Sequence, residues 1–271
     1  MQTTVADKPA APPAASLFRA DSAGIATLTL NRPDKFNALS RDLLSRLLSE
    51  LRAIGDDPDI RVVVLAAAGK AFCTGHDLKE MRADPGDAAM RALFRLCADV
   101  MLAIVRIPQP VIAKVQGVAT AAGCQLVATC DLAVAAEGCR FAVSGVNLGL
   151  FCSTPMVALT RNVSRKHAME LLLTGEFIDA GVAERWGLIN RIVPADRLDA
   201  AVDELAGLIA AKSPAAVSLG KRLFYTQMEA GIEAAYAAAS ETMVCNMLTS
   251  DAQAGIDAFL ARQPMPEWTG R

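Results

Sequence analysis

A chain of 271 residues with 53% hydrophobic and 21% charged side chains carries enough apolar material for one large folded domain or two small ones. A net charge of −2 without a basic run, and an aromatic content of only 5%, exclude nucleic acid as the main partner: neither phosphate neutralisation nor base stacking is provided for. The seven cysteines (Cys73, Cys97, Cys124, Cys130, Cys139, Cys152 and Cys245) are scattered without a CxxC pair, and the two histidines, His76 and His167, lie far apart; this spacing suits neither a disulfide framework nor a metal site, and predicts buried, reduced thiols in a cytoplasmic compartment.

Residues 1–16 are rich in Ala and Pro and have no apolar run, so they are expected to form a disordered arm. With Asp7 present and no Arg before Arg19, the arm does not resemble a signal or transit peptide. The alternation of Gly24–Leu30 predicts a strand, ended by Asn31-Arg32-Pro33-Asp34. Ser40 is placed to cap an amphipathic helix through about Ile54, whose apolar face is Leu43, Leu44, Leu47, Leu48 and Leu51. Three β-branched apolar runs, Val62–Leu65, Val111–Val115 and Leu132–Ala135, suit strands buried on both faces, with a helix over about Asp87–Val105 between the first two. Gly117–Ala136 is apolar over a membrane-spanning length, but Gln125, Asp131 and the glycines favour a buried strand–turn–helix–strand passage, with no membrane partner. Helices are expected over Pro155–Asn162, Arg165–Leu173, Ala180–Trp186, Pro194–Ala211 and Ala215–Met247. This order reads as an α/β core over 17–200 followed by a helical region over 201–271.

Two loops invite a ligand. Gly69–Lys79 (GKAFCTGHDLK) leaves the first buried strand, and Gly117–Gln125 (GVATAAGCQ) leaves the second and enters a helix. Small residues let backbone N–H groups approach a ligand, and a helix N-terminus favours developing negative charge. Together the loops have the chemistry of an oxyanion hole, although ordinary tight loops share the composition.

At these residues the sequence resembles the crotonase (enoyl-CoA hydratase/isomerase) family. The resemblance is carried, in order from about residue 17, by Asn31-Arg32-Pro33 with Asn37-Ala38-Leu39, by Arg61–Leu65, by Gly69–Lys79, by Ile107–Ala113, by Gly123-Cys124-Gln125-Leu126 with Cys130-Asp131, by Leu171–Glu176 and by Trp186–Asn190. It implies a crotonase-like spiral of ββα units, a C-terminal helical region that trimerises, and assembly as a homotrimer or a dimer of trimers. It implies an acyl-CoA or enoyl-CoA thioester as partner, with coenzyme A entering as part of the substrate and no permanently bound cofactor. The thioester carbonyl is expected between the backbone N–H groups of His76 and Ala122. The coenzyme is expected near Lys35, Phe36, Ala38, Thr74, Asp77, Leu78 and Lys79, with Arg262 offered by a neighbouring subunit.

The pattern breaks at the acid–base positions. Family hydratases use two glutamates to activate water and to protonate the α-carbon. Here Gln125 stands at the first position and Gly145 at the second, and no Asp or Glu occurs between Glu137 and Glu170. Gln125 can hydrogen-bond a water but cannot take its proton, and Gly145 has no side chain. Each acid or base contributes ~10²–10⁴ in rate, so hydration of a crotonyl thioester is expected to be poor, and Gln125→Glu combined with Gly145→Glu is expected to raise it. Asp131 is expected to be structural; His76 is the one titratable ring beside the proposed hole, suited to acid–base work unless the ring is satisfied elsewhere and points away, leaving only its main-chain N–H to serve the substrate. The segment Leu150-Phe151-Cys152-Ser153-Thr154-Pro155 is similar to the subgroup typified by enoyl-CoA hydratase domain-containing protein 3, which also lacks the pair. Two readings stay open: an enzyme of lyase or isomerase type that stabilises an enolate, by weak hydration, isomerisation, hydrolysis or decarboxylation, or a non-catalytic acyl-CoA-binding or regulatory oligomer.

Overall fold

The computed structural model describes residues 15–271, so the expected arm lies outside the described residues except for its last two. Those two are tied down: Asn31 donates from its backbone N–H to Ser16 O and from its side chain to Ala15 O. An antiparallel pair, β1 (Leu17–Ser22) and β2 (Ile25–Leu30), opens the chain. The helix α1 (Arg41–Gly55) follows, with the Ser40 hydroxyl accepting from Leu43 N and six apolar residues from Leu43 to Ile54 buried. Both the cap and the buried face match the expectation.

Three successive turns then repeat one plan. A strand of a long sheet passes through a tight connection to a strand of a short sheet and on to a helix. The first turn is β3 (Val62–Ala67), β4 (Ala71–Cys73), α2 (Leu78–Ala83) and α3 (Asp87–Arg106). The second is β5 (Val111–Val115), β6 (Val118–Thr120) and α4 (Ala122–Thr129). The third is β7 (Leu132–Ala136), β8 (Arg140–Ala142) and, after a 3-10 turn, α5 (Ser153–Asn162). The chain continues through α6 (Arg165–Thr174), β9 (Ile178–Asp179), α7 (Ala180–Arg185), β10 (Arg191–Val193) and α8 (Leu198–Ala210).

The long sheet has the order β1-β2-β3-β5-β7-β10 and is parallel from β2 onward; the short one is β4-β6-β8-β9. β3, β5 and β7 sit at the centre of the long sheet, which is why their sequences are almost continuously apolar. The passage over 117–136 is the β6–α4–β7 segment, with every residue of α4 buried. Among the described residues no helix is long and apolar enough to cross a membrane.

The tail differs from its expectation in two ways. The anticipated boundary at 200/201 falls inside α8, which packs on β2, β3, β5 and β7 and so belongs to the core. The single helix expected over 215–247 is two, α9 (Pro214–Met228) and α10 (Ile232–Met247), broken where Gly231 takes the cap of α10. α11 (Ser250–Leu260) completes the chain. α9 is fixed to the core by Asp131, whose carboxylate accepts from Val111 N (2.7 Å), Lys221 Nζ (2.7 Å) and Tyr225 Oη (2.8 Å). Lys221 also donates to the Ile104 and Gln109 carbonyls. These bonds give Asp131 the structural role expected of it.

Candidate active site

The two ligand-facing loops meet. Gly75 adopts φ +89°, and a Cβ placed on it would lie 2.9 Å from Ala121 Cβ and 3.4 Å from Ala122 N. A residue with a side chain therefore cannot take its place without pushing the loops apart. Gly75 O accepts from Leu39 N and Leu39 O accepts from Asp77 N, forming a parallel bridge between Leu39 and His76. In a parallel bridge the residue between the two bonds directs its own N–H to the other side.

On that other side α4 begins. Ala121 is held at φ 51°, ψ −121°, a region non-glycine residues rarely occupy, and Ala122 is the first helical residue. The first N–H groups of a helix have no intrahelical acceptor. The end of α4 is set by contact: a Cβ on Gly123 would stand 2.0 Å from Cys73 O, so α4 lies directly against the end of β4. Neither the His76 nor the Ala122 N–H donates to an acceptor among the described residues. Two free donors thus flank the junction, with the positive end of the α4 dipole behind them.

Two polar side chains border these donors and also lack partners. Gln125, one turn into α4, is 5% exposed, and its Oε1 is buried without a donor. Both His76 ring nitrogens are buried without a hydrogen bond among the described residues, and the ring stands edge-on to Phe94 at 5.5 Å. Burial pushes the imidazole below its usual range, with an opposing pull from the nearby Leu39 carbonyl. A cavity of about 980 Å³ runs past Gln125, walled by Met101 and Val105 of α3, Thr129 of α4, Val157 of α5 and Tyr225 of α9.

Gly145 departs from the sequence expectation. A Cβ there would stand 2.5 Å from Leu150 O and 2.7 Å from Cys152 Sγ. Gly145 N donates to Cys152 Sγ (3.3 Å), and its carbonyl accepts from Leu150 N (3.0 Å). The space a second carboxylate would need is filled by the chain itself. Installing a glutamate there therefore cannot simply restore a pair. Cys152, expected from the sequence as a buried packing thiol, packs here; the contact between Thr120 Oγ and Ser144 Oγ (2.9 Å) is what sequence reasoning missed, because it depends on the chain folding back.

The residues expected on the coenzyme side form one rim. Phe36 O accepts from Thr74 N and Thr74 Oγ, and the fully buried Asn37 donates to Ala68 O and Ala71 O while accepting from Arg32 N. Lys35, Phe36, Leu78 and Lys79 are exposed there, with Ala38 beside them. Asp77 has other work: it caps α2 through Lys79 N and Glu80 N and pairs with Arg32 at 2.9 Å. Burial raises its carboxyl, but Arg32 and the cap bonds outweigh this and hold it below the usual range. Arg262 sits on the exposed turn after α11, and no hydrogen bond or ion pair joins it to the rim among the described residues.

Comparison with known proteins gives the family and agrees with the fold. The family model described as Enoyl-CoA hydratase/isomerase matches residues 20–271. Enoyl-CoA hydratase domain-containing protein 3, mitochondrial, from Xenopus laevis is 45% identical over 246 residues, covering 91% of this chain and 83% of that one. A crystal structure of enoyl-CoA hydratase from Mycobacterium smegmatis is 56% identical, with a TM-score of 0.91 over 93% of this chain and 98% of that one. The structure of human enoyl-CoA hydratase domain-containing protein 3 is 44% identical, also at 0.91, covering 93% of this chain and 100% of that one. The likeness to that subgroup read from Leu150–Pro155 is borne out. The cytoplasmic expectation is overturned, because the Xenopus relative is named mitochondrial; reduced thiols report the redox state of a compartment, not which compartment it is. With the spiral of ββα turns, the ordered motifs and the matched relatives in agreement, the chain belongs to the enoyl-CoA hydratase/isomerase family.

Proposed function

We propose that the protein binds an acyl-CoA or enoyl-CoA thioester with its carbonyl oxygen between the His76 and Ala122 N–H groups, and acts on it by stabilising the enolate. The observation that carries this reading is the pair of unpartnered N–H groups where the two loops touch. Coenzyme A arrives as part of the substrate, along the rim of Lys35, Phe36, Ala38, Thr74, Leu78 and Lys79. One such donor is worth about 3–4 kcal/mol of barrier, so the site retains a rate advantage with a neutral Gln125 and a bare Gly145. Hydration by the two-glutamate route is slow.

The test is a panel of CoA thioesters followed by isothermal titration and by turnover. Saturable binding with crotonyl-CoA hydration far below about 10 per second, a typical enzyme rate, is expected. No binding to any member at high protein concentration refutes the site. The neutral Gln125 and the filled position at Gly145 also favour a second reading, a non-catalytic acyl-CoA-binding oligomer; binding without any turnover selects it. For assembly we propose a trimer or a dimer of trimers. Ile232 (74%), Leu248 (70%), Phe259 (73%) and Leu260 (74%) are exposed on α10, α11 and the turn between them, more apolar surface than a lone chain normally leaves in water. A monomer by light scattering at micromolar concentration refutes this.

A further inference from the structure

We infer that the His76 imidazole is a catalytic residue, the base that removes a proton from the α-carbon of the bound thioester. The inference rests on the thioester reading above and adds a chemical role that reading does not need. A neutral imidazole carries one N–H donor and one bare acceptor. In His76 both nitrogens are buried and neither has a partner among the described residues, so the ring holds hydrogen-bonding capacity that a ligand can meet. The main-chain N–H of this same residue is one of the two free donors. The ring is therefore within one residue of the docked carbonyl oxygen, and the α-carbon is only two bonds from that oxygen.

The ring's other contact places it further. Phe94, which it meets edge-on, shares one face of α3 with Met101 and Val105 through spacings of seven and four residues. Met101 and Val105 wall the cavity that Gln125 enters. His76 and Phe94 do not themselves line that cavity; the ring packs against the same α3 face about two to three turns before the residues that do. Burial keeps the imidazole neutral near pH 7, so the lone pair of its bare nitrogen is available.

In the step itself the α C–H bond breaks and its electron pair becomes the enolate double bond. The carbonyl π pair moves onto the oxygen held by the His76 and Ala122 N–H groups, and the proton passes to the imidazole. The imidazolium and the enolate then balance each other's charge, and return of a proton to the α-carbon restores both partners. Gln125 cannot take this part, having no basic lone pair, and Gly145 has no side chain.

The experiment follows α-hydrogen exchange of butyryl-CoA in D2O by NMR, with titration calorimetry of the same thioester, for wild type, His76→Gln and His76→Phe. Wild type is expected to bind and to exchange, and both variants to lose exchange by ~10²–10⁴-fold while the main-chain donor still supports binding. A readout on the unaltered protein covers misfolding of the variants. The chain has two histidines, so 15N-histidine labelling gives two rings, and butyryl-CoA should shift the His76 nitrogens and leave those of His167 in place. Exchange in a folded variant within about threefold of wild type, binding by wild type without exchange, or unmoved His76 signals on binding overturns the inference and leaves thioester binding standing. Absence of binding by wild type overturns both.

Discussion

Putting a side chain at Gly145 is the sharpest test of how this site is built. Gly145→Ala adds one carbon, 2.5 Å from the Leu150 carbonyl oxygen and 2.7 Å from Cys152 Sγ. The sulfur can rotate away; the carbonyl is main chain, held by the turn in which Leu150 N donates to Gly145 O. Overpacking of this kind costs about 1–3 kcal/mol, more than the roughly 0.4–1 kcal/mol gained by restricting the unfolded chain when glycine is replaced. For a chain of this size each kcal/mol lowers the melting temperature by about 2–4 °C, so Gly145→Ala should melt a few degrees below wild type. Cys152→Ala combined with it should recover part of the loss, since one of the two close contacts disappears and the other stays.

Gly145→Glu carries the same clash and adds a carboxylate among packed atoms. Gln125→Glu with Gly145→Glu should therefore fail to produce a competent hydratase, in contrast to what the empty positions alone suggest. Differential scanning calorimetry of Gly145→Ala, and loss of enoyl absorbance with crotonyl-CoA for the double variant, are the assays. An unchanged melting temperature for Gly145→Ala, or turnover on the order of 10 per second by the double variant, would refute the reasoning.

Two further substitutions probe the framework. Lys221→Met leaves the Asp131 carboxylate and two carbonyls without their shared donor and should cost about 3–5 kcal/mol in urea unfolding; adding Asp131→Asn should recover much of it, and equal losses for single and double variants would contradict the pairing. Asp251 is 2% exposed and accepts from Ser213 Oγ, Thr269 N, Thr269 Oγ and Gly270 N. Burial raises its carboxyl, but these donors outweigh it and hold the folded value below 3.8, so its contribution is present above that pH and is lost as pH falls through the depressed folded value. Asp251→Asn should accordingly lower stability at pH 7 and show a shallower loss as the pH falls through the carboxylate range; parallel acid-unfolding curves for the two proteins would refute this.

The parts of the fold legible in the sequence are those with a strong local signal. Ser40 ahead of a leucine-rich face marks α1, and nearly continuous apolar runs mark β3, β5 and β7 because those strands are buried on both sides. The short sheet escaped notice because β4, β6 and β8 have three residues each and β9 two, set among small residues that read equally well as loop. β1 was missed for another reason: it is an edge strand on which Arg19 and Asp21 share a face with buried Leu17, Arg19 pairing with Glu50 and Asp57, so charged residues hide the alternation. Of the site, the loops could be read from composition, but the free donors could not. Which N–H lacks an acceptor depends on the Leu39–His76 bridge and on where α4 starts, and only the ordered motifs of the family pointed to His76 and Ala122.

The two positions expected from the sequence to correspond to the family's acid–base pair are physically unlike each other. Gln125 occupies nearly the volume of a glutamate, so its site keeps its shape and only its charge is lost. Gly145 differs in shape: the Leu150–Cys152 segment fills the direction a side chain would take. A glutamate at 145 would therefore require that segment to move. The donor pair is insulated from that change. It depends on the Gly75 contact with Ala121, the seat of Gly123 on Cys73 O and the Leu39 bridge, none of which involves residues 145–152. A side chain placed at Gly145 should therefore disturb residues 145–152 while leaving the N–H groups of His76 and Ala122 in place, so the proposed thioester binding can be tested apart from any hydration.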